Sequence, residues 1–322
     1  MRAAVVADGA VRVEEREIAR PVADQVLVRV HGAGLNRADL LQRMGLYPPP
    51  PGAPADIPGL EFAGVVEEVG DGVHGLNPGD RVFGIVAGGG QAEYVLTLES
   101  HCARVPESVD LVEAGGVPEA YLTAHDALFT HAGVHPGLTV LVHAAGSGVG
   151  TAVTQLAACI GCRVIGTART PEKLDRAREL GLDEGVVATG DVEELIRAIE
   201  NVGSPDVVID LVGGGYFEVD VAVAAPRARI VLVGAIAGAR ATASILPIMN
   251  KRLHIMGTVL RSRPAHEKAA ATHAFAGHVT PLLAAGTIGP VVEAVMPLDR
   301  VEDAYELLAS DATFGKVILD CA

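Results

Sequence analysis

The sequence predicts an α/β protein with two domains, a doubly wound parallel sheet and a β-rich domain split around it in the chain. From about residue 139, short apolar strands alternate strictly with helical stretches, and a β-rich region precedes them. Such alternation is typical of a parallel sheet covered by helices on both faces. We place the sheet domain at residues 120–265 and the β-rich domain at residues 1–119 and 266–322.

Composition narrows the class of protein. The 322 residues are 49% apolar, which is enough for two domains with cores of their own. The formal net charge is −15, and no basic run is present to bind the phosphates of a nucleic acid. No apolar run reaches the roughly 18 residues of a membrane span, and the N-terminus lacks the apolar core of a signal peptide. We therefore expect a cytoplasmic protein with neither a nucleic-acid nor a membrane partner.

The β-rich parts are recognised from β-branched residues and turn signals. Val26–Val30 and Gly64–Val69 read as strands, and residues 77–80 (Asn-Pro-Gly-Asp) read as a turn. The proline run Pro48–Pro51 excludes both helix and central strand, so it predicts a loop. After residue 264 we expect a helix, a strand over Val291–Leu298, a helix over Val301–Ala309 and an apolar segment over Phe314–Leu319. We expect this tail to rejoin the N-terminal region.

Six apolar segments predict the strands of the parallel sheet. They are Thr139–Ala145, Arg163–Thr167, Gly185–Ala188, Asp206–Val212, Arg229–Ala235 and Leu253–Val259. Near-continuous apolar runs suit strands that are buried on both faces. Helix starts are predicted at Thr170, followed by Pro171, and at Asp191, which forms a capping box with Glu194.

The turn after the first of these strands carries a dinucleotide-binding signal. A small-residue turn links the strand to a helix over Thr151–Cys159, and the positions of the Gly-x-Gly-x-x-Gly pattern hold Ala145, Ser147 and Gly150. Backbone N–H groups at such a turn approach a pyrophosphate, and the positive helix end favours it. We therefore expect Ala145, Ser147, Gly148, Val149 and Gly150 to bind a dinucleotide.

The end of the second strand indicates which dinucleotide is bound. A carboxylate there would bind the ribose 2′-hydroxyl of NAD, but the segment that follows the strand holds Arg169 and Lys173 instead. Both cations can pair with a 2′-phosphate, so the sequence favours NADP(H). The alternative is that both are solvated charges at a helix start. Gly234, Ala235 and Ile236 follow the fifth strand, where open α/β sheets bind ligands.

Several segments closely match one family. They are Leu35–Leu40, Gln42–Pro50, Gly59–Glu61, Gly88–Val95, Pro118–Ala124, His143–Ala152 and Leu260–Arg263. Through them the chain resembles, nearly end to end, the zinc-free quinone oxidoreductases of the medium-chain dehydrogenase/reductase superfamily. The resemblance implies a Rossmann domain, a split GroES-like catalytic domain, NADP(H) as cofactor and a homodimer joined through the cofactor domains.

The resemblance also bears on metal binding. Zinc alcohol dehydrogenases of this superfamily place a Cys and the His of Gly-His-Glu around a catalytic metal, and the corresponding positions here are Asn36 and Leu60. Without thiolate and imidazole no tetrahedral zinc site is expected. Hydride transfer to a quinone or a conjugated carbonyl compound suits such a site, because the negative charge delocalises onto oxygen.

Roles for individual residues follow from the resemblance. Asn36, Asp39 and Tyr47 would line the pocket floor over the nicotinamide. Tyr47 is either a hydrogen-bond donor to the substrate oxygen, a stacking partner for the substrate, or a residue packed against the proline run. Asn36 orients the cofactor ribose or a loop, or it touches the substrate.

Further residues are implied at the cofactor. Thr123 would lie beside the nicotinamide, or its hydroxyl is bonded back to its own helix. Phe314, Gly315 and Lys316 would close over the cofactor, with Lys316 bonded to its ribose or amide. Arg261 and Arg263 would reach a phosphate or a charged substrate, or form exposed ion pairs. The tyrosine that often flanks the 2′-phosphate in this family is replaced by Ala188.

Two other functions fit the same sequence. One is an enoyl reductase that acts on α,β-unsaturated ketones or enoyl thioesters with the same cofactor. The other is a non-catalytic NADPH-binding sensor, because a fold can be retained without its chemistry. The joint presence of Asn36, Asp39, Tyr47 and Thr123 favours an enzyme.

Overall fold

The computed structural model describes all residues from Met1 to Ala322. The chain divides into two compact units. Unit 1 comprises Met1–Leu122 and Leu260–Ala322, and unit 2 comprises Thr123–Val259. The predicted domain borders, after residues 119 and 265, stay a prediction.

The chain forms fifteen β-strands and ten α-helices. The strands are β1 (Arg2–Ala7), β2 (Ala10–Glu15), β3 (Gln25–Gly34), β4 (Glu61–Val69), β5 (Arg81–Ile85), β6 (Tyr94–Leu98), β7 (Cys102–Arg104), β8 (Thr139–Val142), β9 (Arg163–Ala168), β10 (Glu184–Val187), β11 (Val207–Asp210), β12 (Arg229–Leu232), β13 (His254–Gly257), β14 (Val292–Pro297) and β15 (Lys316–Asp320). The helices are α1 (Arg37–Arg43), α2 (Pro118–His125), α3 (Gly148–Cys159), α4 (Pro171–Arg178), α5 (Val192–Val202), α6 (Tyr216–Val223), α7 (Ile245–Lys251), α8 (Ala265–His278), α9 (Thr280–Ala284) and α10 (Val301–Ala309).

Unit 2 is built on a six-stranded sheet in the order β10-β9-β8-β11-β12-β13. All of its strand pairs are parallel. The order reverses at β8, so the crevice at the carboxyl ends of β8 and β11 is the place where doubly wound sheets bind dinucleotides. The predicted α/β fold class is confirmed.

Four predicted strands extend two or three residues too far at their carboxyl ends. The segments expected to end at Ala145, Val212, Ala235 and Val259 leave the ladder after Val142, Asp210, Leu232 and Gly257. The apolar residues beyond these points build the loops at the carboxyl edge. Because many of these residues are apolar like those of the strands, composition alone did not separate them from the strands.

Two helices of unit 2 begin just after a residue whose side chain caps the helix. Helix α3 begins at Gly148, earlier than the predicted Thr151, because Ser147 caps it. The side chain of Asp191 caps α5 by accepting the N–H of Glu194. The predicted reciprocal half of that capping box is absent, since the Glu194 carboxylate instead accepts the hydroxyl of Thr189 at 2.7 Å.

Unit 1 contains a seven-stranded sheet in the order β14-β15-β3-β4-β5-β7, with β6 also paired to β3. The C-terminal strand β15 runs antiparallel to β3 through Ile318–Gly34, so the tail rejoins the N-terminal region as expected. Helix α10 packs on this sheet and buries Tyr305 completely. The proline run Pro48–Pro51 is a loop, as predicted. None of the helices is long and apolar enough to cross a membrane.

Candidate active site

The turn after β8 carries the glycine-rich motif of unit 2. Ala144 adopts φ +55°, and the hydroxyl of Ser147 accepts a 3.0 Å hydrogen bond from the N–H of Gly150. A Cβ atom at Gly150 would lie 2.3 Å from the carbonyl oxygen of Ala144, so glycine is needed for α3 to start this close to the turn. The positive end of α3 therefore lies directly behind the turn, which suits a pyrophosphate.

Small residues also pack this turn against β9. Ala145 is fully buried, and its N–H donates to the carbonyl of Thr167 at 2.9 Å. A Cβ atom at Gly166 would lie 2.9 Å from the Cβ of Ala145. Gly148 and Val149 lie half-buried in the first turn of α3. The structure thus brings the five expected motif residues together.

The loops after β11 and β12 touch each other at the same edge of the sheet. A Cβ atom at Gly234 would lie 2.4 Å from the carbonyl oxygen of Leu211, so this approach requires glycine. The Asp210 carboxylate accepts the N–H groups of Val212 at 2.7 Å and Gly213 at 2.9 Å, which fixes the first loop. Ala235 and Ile236 follow Gly234 and are exposed.

Arg169 lies exposed just after β9, and Lys173 lies in the first turn of α4. Burial raises the pKa of the Tyr216 hydroxyl, and the charge of Arg169 opposes that rise, which places Arg169 near this ring. Ala188, which replaces the tyrosine that often flanks the 2′-phosphate in this family, is buried. Tyr216 was not recognised from the sequence, because it follows β11, and only the sheet order brings it towards Arg169.

A fully buried histidine lies beneath the glycine-rich turn. The ring nitrogens of His143 lie 3.0 Å from the Thr167 hydroxyl and 2.8 Å from the Asp220 carboxylate. The ring also meets Tyr216 edge to face at 4.8 Å. Burial raises the pKa of Asp220 to about 6, although His143 opposes this rise. His143 therefore ties β9 and α6 to the turn.

In unit 1, Lys316 occupies the centre of a buried polar network. Its Nζ donates to the backbone carbonyl of Leu35 at 2.7 Å, to Oδ1 of Asn36 at 2.7 Å and to Oε1 of Glu61 at 2.6 Å. Lys316 is 5% exposed and Glu61 is 0% exposed. All three N–H donors of the ammonium are used in this way, so a bond to a cofactor would require one of them to be released.

The same network holds Asn36 and Asp39. The amide of Asn36 donates to Glu61 at 2.9 Å while its oxygen faces Lys316. Asp39 has no exposed surface; its carboxylate accepts the N–H groups of Asn36 at 2.8 Å and Gly59 at 3.2 Å and the amide of Gln91 at 3.2 Å. Burial raises the pKa of Asp39 to about 6. Asp39 thus positions the start of α1.

Arg261 holds the segment that carries Tyr47. The guanidinium donates to the carbonyls of Ala87 at 2.9 Å and Tyr47 at 3.1 Å, and to the side chain of Gln42 at 2.5 Å. Its Cζ lies 5.0 Å from the centre of the Tyr47 ring. Arg261 is buried, so the expected alternative of an exposed ion pair is wrong for this residue. Tyr47 is half-buried, and burial raises the pKa of its hydroxyl.

Glu119 was not singled out from the sequence. It is the second residue of α2, and its backbone N–H donates to Oε2 of Glu61 at 2.8 Å. Burial and the neighbouring Glu61 raise the pKa of its carboxyl to about 8. Lys268 of α8 is buried and opposes this rise. An acidic residue in a first helical turn usually reflects the helix dipole, so the burial of Glu119 could not be predicted from its place in the sequence.

The remaining residues that were expected at the cofactor are Thr123, in unit 2, and Phe314–Lys316, in unit 1. Thr123 is half-buried in α2, at the start of unit 2. Phe314 is buried, and its N–H donates to the Glu293 carboxylate at 3.1 Å. Gly315 has φ +90°, and a Cβ atom there would lie 2.2 Å from the carbonyl oxygen of Val291. Glycine is therefore required just before Lys316.

Comparison with known proteins assigns the chain to a family. Residues 22–107 match the alcohol dehydrogenase GroES-like domain, and residues 148–276 match the zinc-binding dehydrogenase domain. Quinone oxidoreductase of Homo sapiens is 32% identical over 305 residues, which are 93% of this chain and 90% of the relative. Quinone oxidoreductase-like protein 2 of Rattus norvegicus is 34% identical over 303 residues, 93% of this chain and 86% of the relative.

The chain belongs to the quinone oxidoreductases of the medium-chain dehydrogenase/reductase superfamily. This confirms the resemblance to the quinone oxidoreductases, though not its zinc-free part, and shows that the protein is an oxidoreductase acting on a small molecule. Solved structures of similar fold include an NAD-dependent alcohol dehydrogenase, 31% identical with a TM-score of 0.85, which covers 100% of both chains. A mycobacterial protein complexed with NADPH is 27% identical with a TM-score of 0.87, covering 99% of both chains. A 2-haloacrylate reductase is 26% identical with a TM-score of 0.82, also covering 99% of both chains.

One of the two matching domain families is described as zinc-binding, so the question is whether this chain offers side chains that can bind zinc. No group of three or more His, Cys, Asp or Glu side chains lies where it could hold a metal ion. The amide oxygen of Asn36 accepts a bond from Lys316, and Leu60 offers no donor atom. These residues do not fit a zinc site.

Proposed function

We propose that this oxidoreductase uses NADPH to reduce quinones or related conjugated carbonyl compounds without a metal, in the cytoplasm. The observation that carries the proposal is the environment of Asn36. An amide tied to an ammonium group and a carboxylate stands where a zinc enzyme needs a thiolate. An acceptor that needs no Lewis acid fits this site best, because the charge of a quinone delocalises onto its own oxygens.

Bound NADPH would supply the hydride. The residues of the chain would position the cofactor and the substrate and would offer a hydrogen bond to the substrate oxygen. The phosphate-binding part is Ser147–Gly150 with the loops at Gly213 and Gly234, all at one edge of one sheet. On unit 1, Tyr47 is the polar side chain offered to a substrate oxygen. Its hydroxyl carries its proton at neutral pH, and burial raises its pKa further, so that it can donate. Asn36, Asp39 and Lys316 would hold the surrounding backbone in place.

The preference for NADPH rests on Arg169 and Lys173. Arg169 is exposed near Tyr216, and a guanidinium with a nearby aromatic ring suits a 2′-phosphate. Replacing Arg169 by Ala should weaken NADPH binding by roughly 10- to 100-fold, the equivalent of about 1.5–3 kcal/mol for a charge-assisted hydrogen bond. NADH binding should change little, because that cofactor lacks the phosphate.

Isothermal calorimetry with both cofactors tests this prediction. The matched control is Arg178→Ala, since Arg178 is exposed on α4 and pairs with Asp175. The control should bind both cofactors like the wild type. An equal loss of NADPH and NADH affinity in Arg169→Ala would contradict a contact with the 2′-phosphate.

The second candidate is a reductase for carbon–carbon double bonds conjugated to a carbonyl group. The similarity to a 2-haloacrylate reductase favours it, since its substrate name denotes such a double bond. Oxidation of NADPH should be followed with 1,4-naphthoquinone and with crotonyl-CoA, and repeated with NADH. Faster turnover of the quinone supports our proposal, whereas turnover of crotonyl-CoA alone would establish the second candidate. Cofactor binding without turnover of either acceptor would indicate a sensor.

We further propose that two copies associate through β13. This strand ends the six-stranded sheet and pairs with β12 alone. Large apolar side chains are exposed on it and on α7, namely Ile255 at 37%, Ile245 at 69%, Leu246 at 66% and Met249 at 65%. An unpaired edge beside an apolar surface is what a second copy of the same strand can cover.

Replacing Ile255 by Lys should convert the dimer into a monomer at micromolar concentrations, because a charge on an edge strand opposes edge-to-edge pairing. Light scattering after size exclusion measures the mass. Val295→Lys is the control, since Val295 is exposed on β14, an edge strand of the seven-stranded sheet. Dissociation of both variants, or of neither, would contradict the assignment of this interface.

A further inference from the structure

Glu119 lies among charged groups from several elements of unit 1. Its backbone N–H is bonded to Glu61 of β4. Its carboxyl interacts with Glu61, Lys316 of β15, Asp39 of α1 and Lys268 of α8. It acts in turn on Tyr47 and on Arg261. Glu119 therefore lies close both to the buried network around Lys316 and to the segment held by Arg261.

Exposure separates Glu119 from the other two carboxyl groups of this cluster. Asp39 and Glu61 are both 0% exposed, and their oxygens accept hydrogen bonds from inside unit 1. Glu119 keeps part of its surface exposed. Of the three, only Glu119 can meet a bound molecule and afterwards exchange a proton with water.

The protonation state of Glu119 is also distinct. Burial and Glu61 raise the pKa of its carboxyl to about 8, so the group carries its proton at neutral pH. Lys268 is only 7% exposed, and burial lowers the pKa of its ammonium. Two cations, Lys268 and Lys316, are thus already in place to stabilise negative charge if Glu119 loses its proton. Such prearranged charges are how sites stabilise charge that develops during a reaction.

We propose that Glu119 is the general acid that protonates the substrate oxygen, an inference that rests on the proposed quinone reduction. The quinone accepts a hydride, with its electron pair, from the reduced nicotinamide. The O–H bond of Glu119 breaks, and its proton joins the quinone oxygen on which negative charge accumulates. The products are the hydroquinone, the oxidised nicotinamide and the Glu119 carboxylate, which water reprotonates.

The variant Glu119→Gln removes the proton and keeps the size and the backbone bond to Glu61. With 1,4-naphthoquinone and NADPH we expect kcat to fall about 100-fold, the lower range for general acid catalysis, while NADPH affinity is unchanged. The wild-type rate should decline as the pH rises through about 8, because Glu119 must be protonated to donate. The variant should lose this decline. Exposed Glu113→Gln, on the 3₁₀ turn before α2, serves as the control.

Infrared spectroscopy of the cofactor-free protein gives a readout independent of activity. A carboxylic-acid carbonyl band should be present at pH 7, disappear above about pH 8, be absent from Glu119→Gln and persist in Glu113→Gln. Quinone turnover in which Glu119→Gln keeps the wild-type pH profile would overturn the inference alone. If the band is seen but neither 1,4-naphthoquinone nor crotonyl-CoA is reduced, the proposed function fails and the general-acid role falls with it.

Discussion

Replacing Lys316 by Met should lower the free energy of unfolding by about 3–5 kcal/mol, the usual effect of removing one partner of a buried ion pair. Glu61 is 0% exposed and would be left as an uncompensated charge. The oxygen of Asn36 and the carbonyl of Leu35 would also lose a donor each. Because Asn36 precedes α1, the loss should extend to the segment that carries Tyr47.

Urea denaturation followed by circular dichroism measures this effect. The control is Arg300→Met, which removes an exposed i,i+3 pair with Asp303 and should change stability by less than about 0.5 kcal/mol. Adding Glu61→Gln to Lys316→Met should recover part of the loss, since the buried charge is then gone. Equal effects of Lys316→Met and Arg300→Met would contradict a structural role for the network.

Replacing Gly150 by Ala should abolish tight cofactor binding. The added methyl group would lie 2.3 Å from the carbonyl oxygen of Ala144 and 2.8 Å from the Cα of Ala145. Both are backbone atoms, so the turn and α3 must separate. Loss of two backbone bonds to a phosphate, at about 1.5 kcal/mol each, corresponds to a fall in NADPH affinity of roughly 100-fold. Overpacking should lower stability by about 1–3 kcal/mol as well.

A second glycine provides the matched control. Gly277 lies inside α8, and a Cβ atom there has no neighbour within 4 Å. Gly277→Ala should therefore raise stability by about 0.4–1 kcal/mol without changing NADPH affinity. Calorimetry is the suitable measurement for both variants, because the chain has no Trp to report binding by fluorescence. Wild-type affinity in Gly150→Ala would show that this turn does not hold the pyrophosphate.

Much of the fold could be predicted because it depends on local signals. Strands such as β9 and β11 are short apolar runs bounded by turns, and Thr170 and Asp191 mark helix starts by residue type alone. The carboxyl ends of the strands were placed less well. Residues such as Val212 are apolar and follow a strand directly, yet they leave the ladder to build the loops at the carboxyl edge of the sheet. Hydrophobicity reports burial, whereas the end of a strand is decided by hydrogen bonding.

The residues of the candidate site likewise fall into those that local motifs predict and those that depend on contacts between distant parts of the chain. Gly150 and Arg169 were expected from local motifs, since the turn and the strand end are read directly from the sequence. Glu119, Lys268 and Tyr216 were not, because each becomes significant through a neighbour distant in the chain. Arg261 is the clearest case. Its position suggested a contact with a phosphate or a charged substrate, or an exposed ion pair. The ion pair is ruled out because Arg261 is buried, and its bond to the carbonyl of Tyr47 was not predicted. Charge pairing across elements is set by topology, which a single sequence does not reveal.

The central claim is that the side chains around Asn36 support reduction of a quinone by NADPH without a metal. The most direct test is the rate of 1,4-naphthoquinone reduction by enzyme that has been treated with a chelator and analysed for zinc. We predict an unchanged rate with NADPH in enzyme that holds far less than one zinc ion per chain, and no increase when zinc is added. Loss of activity on chelation, restored by added zinc, would contradict the account.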